Sequence, residues 1–555
     1  MAHDDSSPGP RSACGDVAAV PARFNLARYC LAAAADPPGA ARTALVVVHG
    51  PAGIAALESA SDRAATHAPA VEAVEAAETV ERWSFGDLDD AVRAVAAGLL
   101  AAGLERGDRV MIRLGNTTDY ALAHFGAMAA GLVSLPSSDQ LTDGEATFLL
   151  EDSRARALIH GAGRGLPDAG IPALRRFTPD DITAWRASSA RAEFADTAAE
   201  DPAFLVYTSG TTSRPKGVLH AHRSAWGRRP MYDGWYGITA DDVVLHAGAF
   251  NWTYTLGVGL TDPWANGACA VVYTGERDRR VWPRLIEAAG VTMFAAVPGV
   301  YRQILATEAE PLARLRRTLR HGLVAGEALP QSTREAWEAA TGTPLYEALG
   351  MSEISTFVSS SPSVPVRPGS PGRAQPGRHI AVLDAMGEEA GPGEIGRLAV
   401  RRDDPGLMLG YWNRPQDSPF RGDWFVTSDL VSLDPDGYVT YHGRADDVIT
   451  AGGYRISPDE VETVLGAAEG IAEVAVTAME VRPDVHVVAA FVVPDPGIDA
   501  AAVREIVDTA AIELAAYKRP REVVVLDSLP RTRNGKLQRR ELPAHRGSAG
   551  EPLTP

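Results

Sequence analysis

With 555 residues and a 45% hydrophobic composition, the chain is long enough for two or more domains and can supply sizeable cores. Its formal net charge of -18 argues against a surface built to wrap nucleic acid or an anionic membrane, while a local basic pocket for small anions remains compatible with it. Cys14, Cys30 and Cys269 form no CxxC pair and are too few for a disulfide framework, which predicts a reducing compartment and inert thiols.

Residues 1–22 open as MAHDDSSPGPRSACGD, acidic and rich in Pro, Gly and Ser, and are expected to form a disordered head. That head has no apolar signal core, and no later stretch approaches an uninterrupted membrane span, so a cytoplasmic protein without membrane partners is expected. Between residues 83 and 116 apolar residues recur at helical spacing, stop at a glycine and give way to the strand-like VMIRL. TDYALAHFGAMAAGLVSLPSS repeats helix then strand. The alternation continues through ALIHG (157–161), AFLVYTSG (203–210), ACAVVYTG (268–275), VTMFAAVPG (291–299) and HGLVAGEALP (321–330). Strands alternating with helices predict a large α/β domain on parallel or mixed sheets covered by helices.

After GSPGRAQPG the texture changes to short, Gly/Pro-punctuated β segments, GRLAVR, GYW and WFVTSDLVSLDPDGYVTYHGR, in which DPDG marks a hairpin; a small β-barrel-like part is expected there. Beyond Arg444 a second strand–helix rhythm begins with ADDVITAGGYRISPDEVETVLG and predicts a small α+β domain. The expected organisation is a head at 1–22, a main domain at 23–445, a C-terminal domain at 446–545 and a tail at 546–555, with no solenoid-length repeat.

The segment YTSGTTSRPKGVLHAH (207–222) sets Thr208, Ser209, Gly210, Thr211 and Thr212 where a strand leaves the sheet, with Lys216 shortly after. A glycine permits close backbone approach, exposed N–H groups and hydroxyls donate to oxyanions, and the lysine adds a point charge, so the stretch suits a polyphosphate. It is no Walker loop, because GxxxxGK[ST] is absent. A plain Ser/Thr-rich surface turn is the alternative for such a string taken alone.

As a whole, YTSGTTSRPKG resembles the signature loop of the adenylate-forming (AMP-binding) superfamily, which includes acyl-CoA synthetases, peptide-synthetase adenylation domains and luciferases. Further elements of that family follow in the same order. VAGEALP offers Gly326, Glu327 and Ala328 at the adenine side, and YEALGMSE offers Glu347, Ala348, Leu349, Gly350, Met351 and Ser352 to the nucleotide. Glu353 matches the carboxylate that holds Mg²⁺, a hard cation suited to oxygen ligands. Leu349 stands where the family commonly has an aromatic residue, so adenine would pack on an aliphatic side chain.

In FVTSDLVSLDPDGYVTYHGRADD, Asp429 matches the acceptor of the ribose hydroxyls and Arg444 the arginine that steadies ribose and phosphates. Asp446 aligns with the hinge about which the family's C-terminal domain turns between half-reactions. Gly452 and Gly453 would admit a pantetheine arm of CoA, and Arg455 a phosphate or the adenylate, with a Gly-rich turn as the alternative. Lys536, in PRTRNGK, matches the adenylation lysine. The segment HAGAFNWTYTLGVGLTDPWANGA, with Phe250, Trp252 and Tyr254, is the candidate acyl wall, although such rings also serve simple core packing.

The resemblance therefore implies an ATP- and Mg²⁺-dependent ligase that activates a small or medium carboxylic acid, aryl or aliphatic, as acyl-AMP and passes it to CoA. Homo-oligomers are compatible with it. Two alternatives remain open in the sequence: a free-standing adenylation enzyme that loads a carrier-protein thiol, and a non-catalytic nucleotide-binding interaction module.

Overall fold

The computed structural model describes residues 19–66, 79–161, 173–208, 215–445, 449–451, 454–456, 458–482, 485–514, 518–531 and 537–547. It divides into two compact units, Met1–His379 with Arg402–Ser418, and Ile380–Arg401 with Pro419–Pro555. No described helix is long and apolar enough to cross a membrane.

The first unit is the α/β part that the strand–helix alternation predicted. One sheet runs, in spatial order, Ser355–Ser359, Leu345–Met351, His321–Ala325, Met293–Ala296, Val243–His246, Cys269–Tyr273, Thr43–Val48 and Val80–Ser84. Its interior strands are mutually parallel, and the two flanking pairs are antiparallel. The interior strands are nearly continuous apolar runs because both faces are covered. A second, seven-stranded sheet runs Gly410–Tyr411, Lys216–Ala221, Pro202–Thr208, Val133–Ser138, Arg109–Leu114, Ala157–His160 and Arg175–Phe177.

Two helices begin at side-chain caps that the sequence spells out. Ser84 and Asp87 form a capping box on Phe85–Ala101, as Thr142 and Glu145 do on Asp143–Ser153. Each such cap is worth about 1 kcal/mol against alanine. Phe85, Val92 and Val95 then meet Leu122 and Phe125 of Thr118–Ala129 in the core. Into the same core docks the short helix Leu26–Cys30: Asn25 donates to the Met128 carbonyl at 3.1 Å, Thr197 Oγ1 donates to Phe24 O at 2.7 Å, and the Leu26 N–H donates to His222 Nδ1 at 3.1 Å.

One connection was not readable from periodicity. Thr43–Val48 and Val80–Ser84 are antiparallel neighbours that a tight turn would join, yet Gly50–Thr66 forms a helix between them. Its Ile54 and Leu57 pack with Trp282 and Leu285.

In the second unit the Gly/Pro-punctuated region is an antiparallel sheet of Ile380–Leu383, Gly396–Arg401, Trp424–Leu433 and Tyr438–Arg444, with the DPDG turn between the last two. Ile449–Ala451 and Tyr454–Ile456 pair as a hairpin. Ile471–Arg482, Val485–Pro494 and Glu522–Val525 make a three-stranded sheet, covered by Pro458–Gly466 and Ala500–Ala510 through Val461, Leu465, Val503 and Val507.

Candidate active site

Strand Pro202–Thr208 returns antiparallel as Lys216–Ala221, with Thr208 directly opposite Lys216, so the hydroxyl-rich segment connects two hydrogen-bonded strands. Thr208 and Lys216 are thereby brought together; Ser209, Gly210, Thr211 and Thr212 lie outside the described residues. Lys216 Nζ stands 3.0 Å from an Asp417 carboxylate oxygen and 5.3 Å from the centre of the Tyr411 ring. Cation–π and ion-pair contacts together hold the ammonium beside the strand exit.

Tyr411 extends the arrangement: its hydroxyl donates to Glu353 Oε1 at 2.7 Å. Glu353 occupies the middle of a three-residue hairpin tip, Ser352, Glu353 and Ile354, between Met351 and Ser355, which pair across it. Ser355, the residue that closes the tip, has φ 77°, in the left-handed region. The backbone of Glu353 is itself held, because its carbonyl accepts the Met408 N–H at 2.7 Å. Among the described residues no cluster of three or more His, Cys, Asp or Glu is arranged to hold a metal. The Glu353 carboxylate is an oxygen donor of the kind that Mg²⁺ takes one or two of, completing its shell with water and substrate phosphate.

Glu347, six residues earlier, has a different environment. It is buried, its carboxylate accepts the Leu329 N–H at 3.0 Å and Arg334 Nη2 at 3.3 Å, and burial pushes its carboxyl up. Its carboxylate therefore ties down the chain just after Gly326, Glu327 and Ala328. Ala348 is core, whereas Leu349, Gly350, Met351 and Ser352 are half-buried.

The three aromatic residues of the candidate acyl wall separate. Phe250 packs on Tyr120, ring centres 5.4 Å apart, in the core that holds the N-terminal helix. Tyr254 is buried in another cluster with Leu323, Ala325 and Ala348, and Trp252 is half-buried against it. Gly326 has φ +97°, and a Cβ there would stand 2.7 Å from Trp252 Cη2. Only glycine lets the indole lie against the 326–328 turn.

In the second unit, Asp429 and Arg444 are register partners across paired strands. Tyr441 donates to Asp429 Oδ1 at 3.3 Å, and Arg444 Nη2 donates to Ser428 Oγ at 3.0 Å. Arg455 is on strand Tyr454–Ile456, paired with Thr450. Asp446, Gly452, Gly453 and Lys536 lie outside the described residues.

Sequence reasoning missed Tyr411 and Asp417. Both fall in GYWNRPQD, of which only a short strand was read, and a lone tyrosine or aspartate in such a stretch carries no chemical pattern.

The AMP-binding enzyme family matches residues 61–412, and the AMP-binding enzyme C-terminal domain matches residues 460–536. The chain belongs to the AMP-binding enzyme family. Among curated relatives, the 3-hydroxybenzoate–CoA ligase of Aromatoleum sp. (strain CIB) is 30% identical, over 82% of this chain and 90% of that protein. Human mitochondrial acyl-coenzyme A synthetase ACSM5 is 32% identical, over 83% and 84%. Among solved structures, the anthranilate CoA ligase AuaEII in complex with anthranoyl-AMP is 27% identical, with a TM-score of 0.80 over 96% of this chain and 98% of that one. The benzoate CoA ligase from Burkholderia xenovorans is 27% identical, with a TM-score of 0.79 over 94% and 99%.

Proposed function

We propose that this chain is an ATP-dependent carboxylic acid:CoA ligase acting on a small or medium acid, aryl or aliphatic. A carboxylate oxygen attacks the α-phosphorus of ATP and pyrophosphate leaves; the CoA thiol then attacks the acyl carbon and AMP leaves. The observation that carries the reading is the linked set Asp417, Lys216, Tyr411 and Glu353, at the exit of a hydroxyl-rich connection. Family membership and relatives named as CoA ligases support it.

Phosphoryl transfer asks mainly for positioning and neutralised charge. A lysine about 4 Å from a phosphate oxygen is worth about 4 kcal/mol at an effective dielectric of about 20. Lys216, already paired with Asp417, exchanges that carboxylate for the leaving pyrophosphate and so stays neutralised throughout. Mg²⁺, when bound, neutralises phosphate oxygens, and Glu353 is the residue that would hold it. Thr208 to Thr212 donate to the same phosphates. Gly326 to Ala328 and Leu349 to Ser352 take the adenine side, and Asp429 and Arg444 the ribose. Lys536 supplies the adenylation lysine, Asp446 the hinge of a C-terminal domain beginning there, Gly452 and Gly453 admit pantetheine, and Arg455 contacts phosphate. Trp252, beside Gly326, is the wall residue best exposed to an acyl group, with Tyr254 behind it.

The test is a panel of aryl and aliphatic acids, each assayed for acid-dependent ATP–pyrophosphate exchange and for AMP release on adding free CoA. Exchange with at least one acid, CoA-dependent AMP release, and loss of exchange by about 100-fold or more in Lys536→Ala are expected. No exchange with any acid sinks the ligase reading, and exchange without turnover of free CoA moves the acceptor to a carrier-protein thiol.

A further inference from the structure

The tip that carries Glu353 is held from behind by groups to which no role has been assigned. His220 Nε2 lies 2.7 Å from the Ser352 carbonyl, so Nε2 carries the proton and donates. Its ring is buried and stacked on Phe204, with centres 4.6 Å apart and planes at 16°. Burial lowers its pKa to about 4, and the imidazole stays neutral at pH 7.

On the other side of the tip, the buried Arg228 donates through Nη1 to Ser355 Oγ. Its Nε and Nη2 form a two-pronged pair with Asp262, each at 2.6 Å, and Tyr236 donates to the same carboxylate at 2.6 Å. With its charge cancelled there, the guanidinium serves Ser355 as a fixed donor. Room for it comes from Gly257, where a Cβ would stand 2.0 Å from Nη2.

Beside the Met408 N–H on the Glu353 carbonyl, two features make these bonds matter at the tip. Ser355 has φ 77°, a region that costs an L-residue energy and normally selects glycine in such a loop. A cavity of about 40 Å³, lined by His220, Arg228, Ser352, Ile354, Ser355 and Gly406, lies beneath it. Atoms above a void lack packing partners on that side, so hydrogen bonds must supply the restraint.

We propose that His220 and Arg228 are positioning residues: acting through Ser352 and Ser355, they lock the hairpin tip so that Glu353 is presented to Mg²⁺·ATP. The proposal rests on the reading of Glu353 as the metal-holding carboxylate. Groups one step behind a metal ligand typically control about 10- to 100-fold in metal affinity or activity.

Arg228 is a poor probe, because its removal leaves Asp262 buried and unpaired. His220→Leu deletes the donor to Ser352. His220→Gln restores it, since the glutamine amide reaches to where Nε2 was. Ser355→Gly deletes the hydroxyl while relieving the left-handed backbone. Equilibrium ATP binding is measured in excess Mg²⁺ and in EDTA for wild type and the three variants, together with melting temperature and acid-dependent exchange.

In His220→Leu and Ser355→Gly, ATP affinity in Mg²⁺ falls about tenfold or more while affinity in EDTA stays within about twofold of wild type. His220→Gln recovers to within about threefold of wild type, and Ser355→Gly melts no lower than wild type. Unchanged Mg²⁺-dependent affinity in either deletion variant, equal losses in Mg²⁺ and EDTA, or failure of His220→Gln to recover overturns the positioning role. A wild type whose ATP affinity ignores Mg²⁺ overturns it as well. A wild type that binds Mg²⁺·ATP but catalyses no exchange overturns the ligase reading alone.

Discussion

Glu347 and Glu353 sit on the same strand and turn, in the same motif, and do unlike things. Glu347 is in the strand interior, where its carboxylate is closed in by Leu329 N–H and Arg334. Glu353 has left the strand for the tip, where one oxygen takes the Tyr411 hydroxyl. A strand end gives the same residue type a different setting, because past the last ladder bond the side chain is no longer confined to a packed face. Membership of a motif does not by itself say what surrounds each carboxylate.

The contrast can be broken most sharply at the tip. Glu353→Gln keeps the shape and the Tyr411 contact but loses the charge; exchange is expected to fall by about 100- to 1,000-fold with an unchanged melting temperature. Glu347→Leu reverses the pattern. It leaves Arg334 buried without its carboxylate, so urea unfolding should register a loss of about 3–5 kcal/mol, with exchange per folded molecule falling less than in Glu353→Gln. Equal effects of the two on rate and on stability would erase the distinction.

A pH series sharpens the same division between interior and tip. Burial lowers the imidazole pKa values of His124 and His246 to about 3, and those of His220, His222 and His321 to about 4. The unfolded chain takes protons that these folded rings refuse. Their contribution is therefore complete above about pH 6.5 and is withdrawn as pH falls towards about 4, at up to about 1.4 kcal/mol per pH unit for each ring. Denaturation at stepped pH should show stability declining across that window; a flat profile would contradict the burial of these rings. The smallest effect is expected from Tyr411→Phe, which removes one half-buried hydrogen bond worth about 1 kcal/mol and should raise the KM for ATP about fivefold.

Much of this was legible from residue order. The alternation VMIRL, AFLVY, ACAVVY, VTMFAAV and HGLVA announced the parallel strands, because fully covered strands must be apolar throughout. DPDG announced its hairpin, and Asp429 and Arg444 proved to be cross-strand partners. Phe250, Trp252 and Tyr254 were a different matter, since an aromatic ring reads alike whether it faces a core or a ligand; Phe250 belongs to another core altogether. His220, Arg228, Tyr411 and Asp417 were invisible for a related reason. Their work consists of single contacts between chain positions up to 201 residues distant, such as Lys216 to Asp417 and Arg228 to Ser355, and no local pattern encodes a partner so far away.

The short helix at Leu26–Cys30 carries a consequence for how this protein is made. Its first N–H is accepted by His222, 196 positions later, only a few residues beyond the strand that begins at Lys216. At translation speeds of about 5–20 residues per second, the segment waits roughly 10–40 s for that partner to be synthesised. The segment is thus satisfied only once a partner 196 positions on has been made. Until then Phe24 and Tyr29 also lack Trp226, the ring that packs against both.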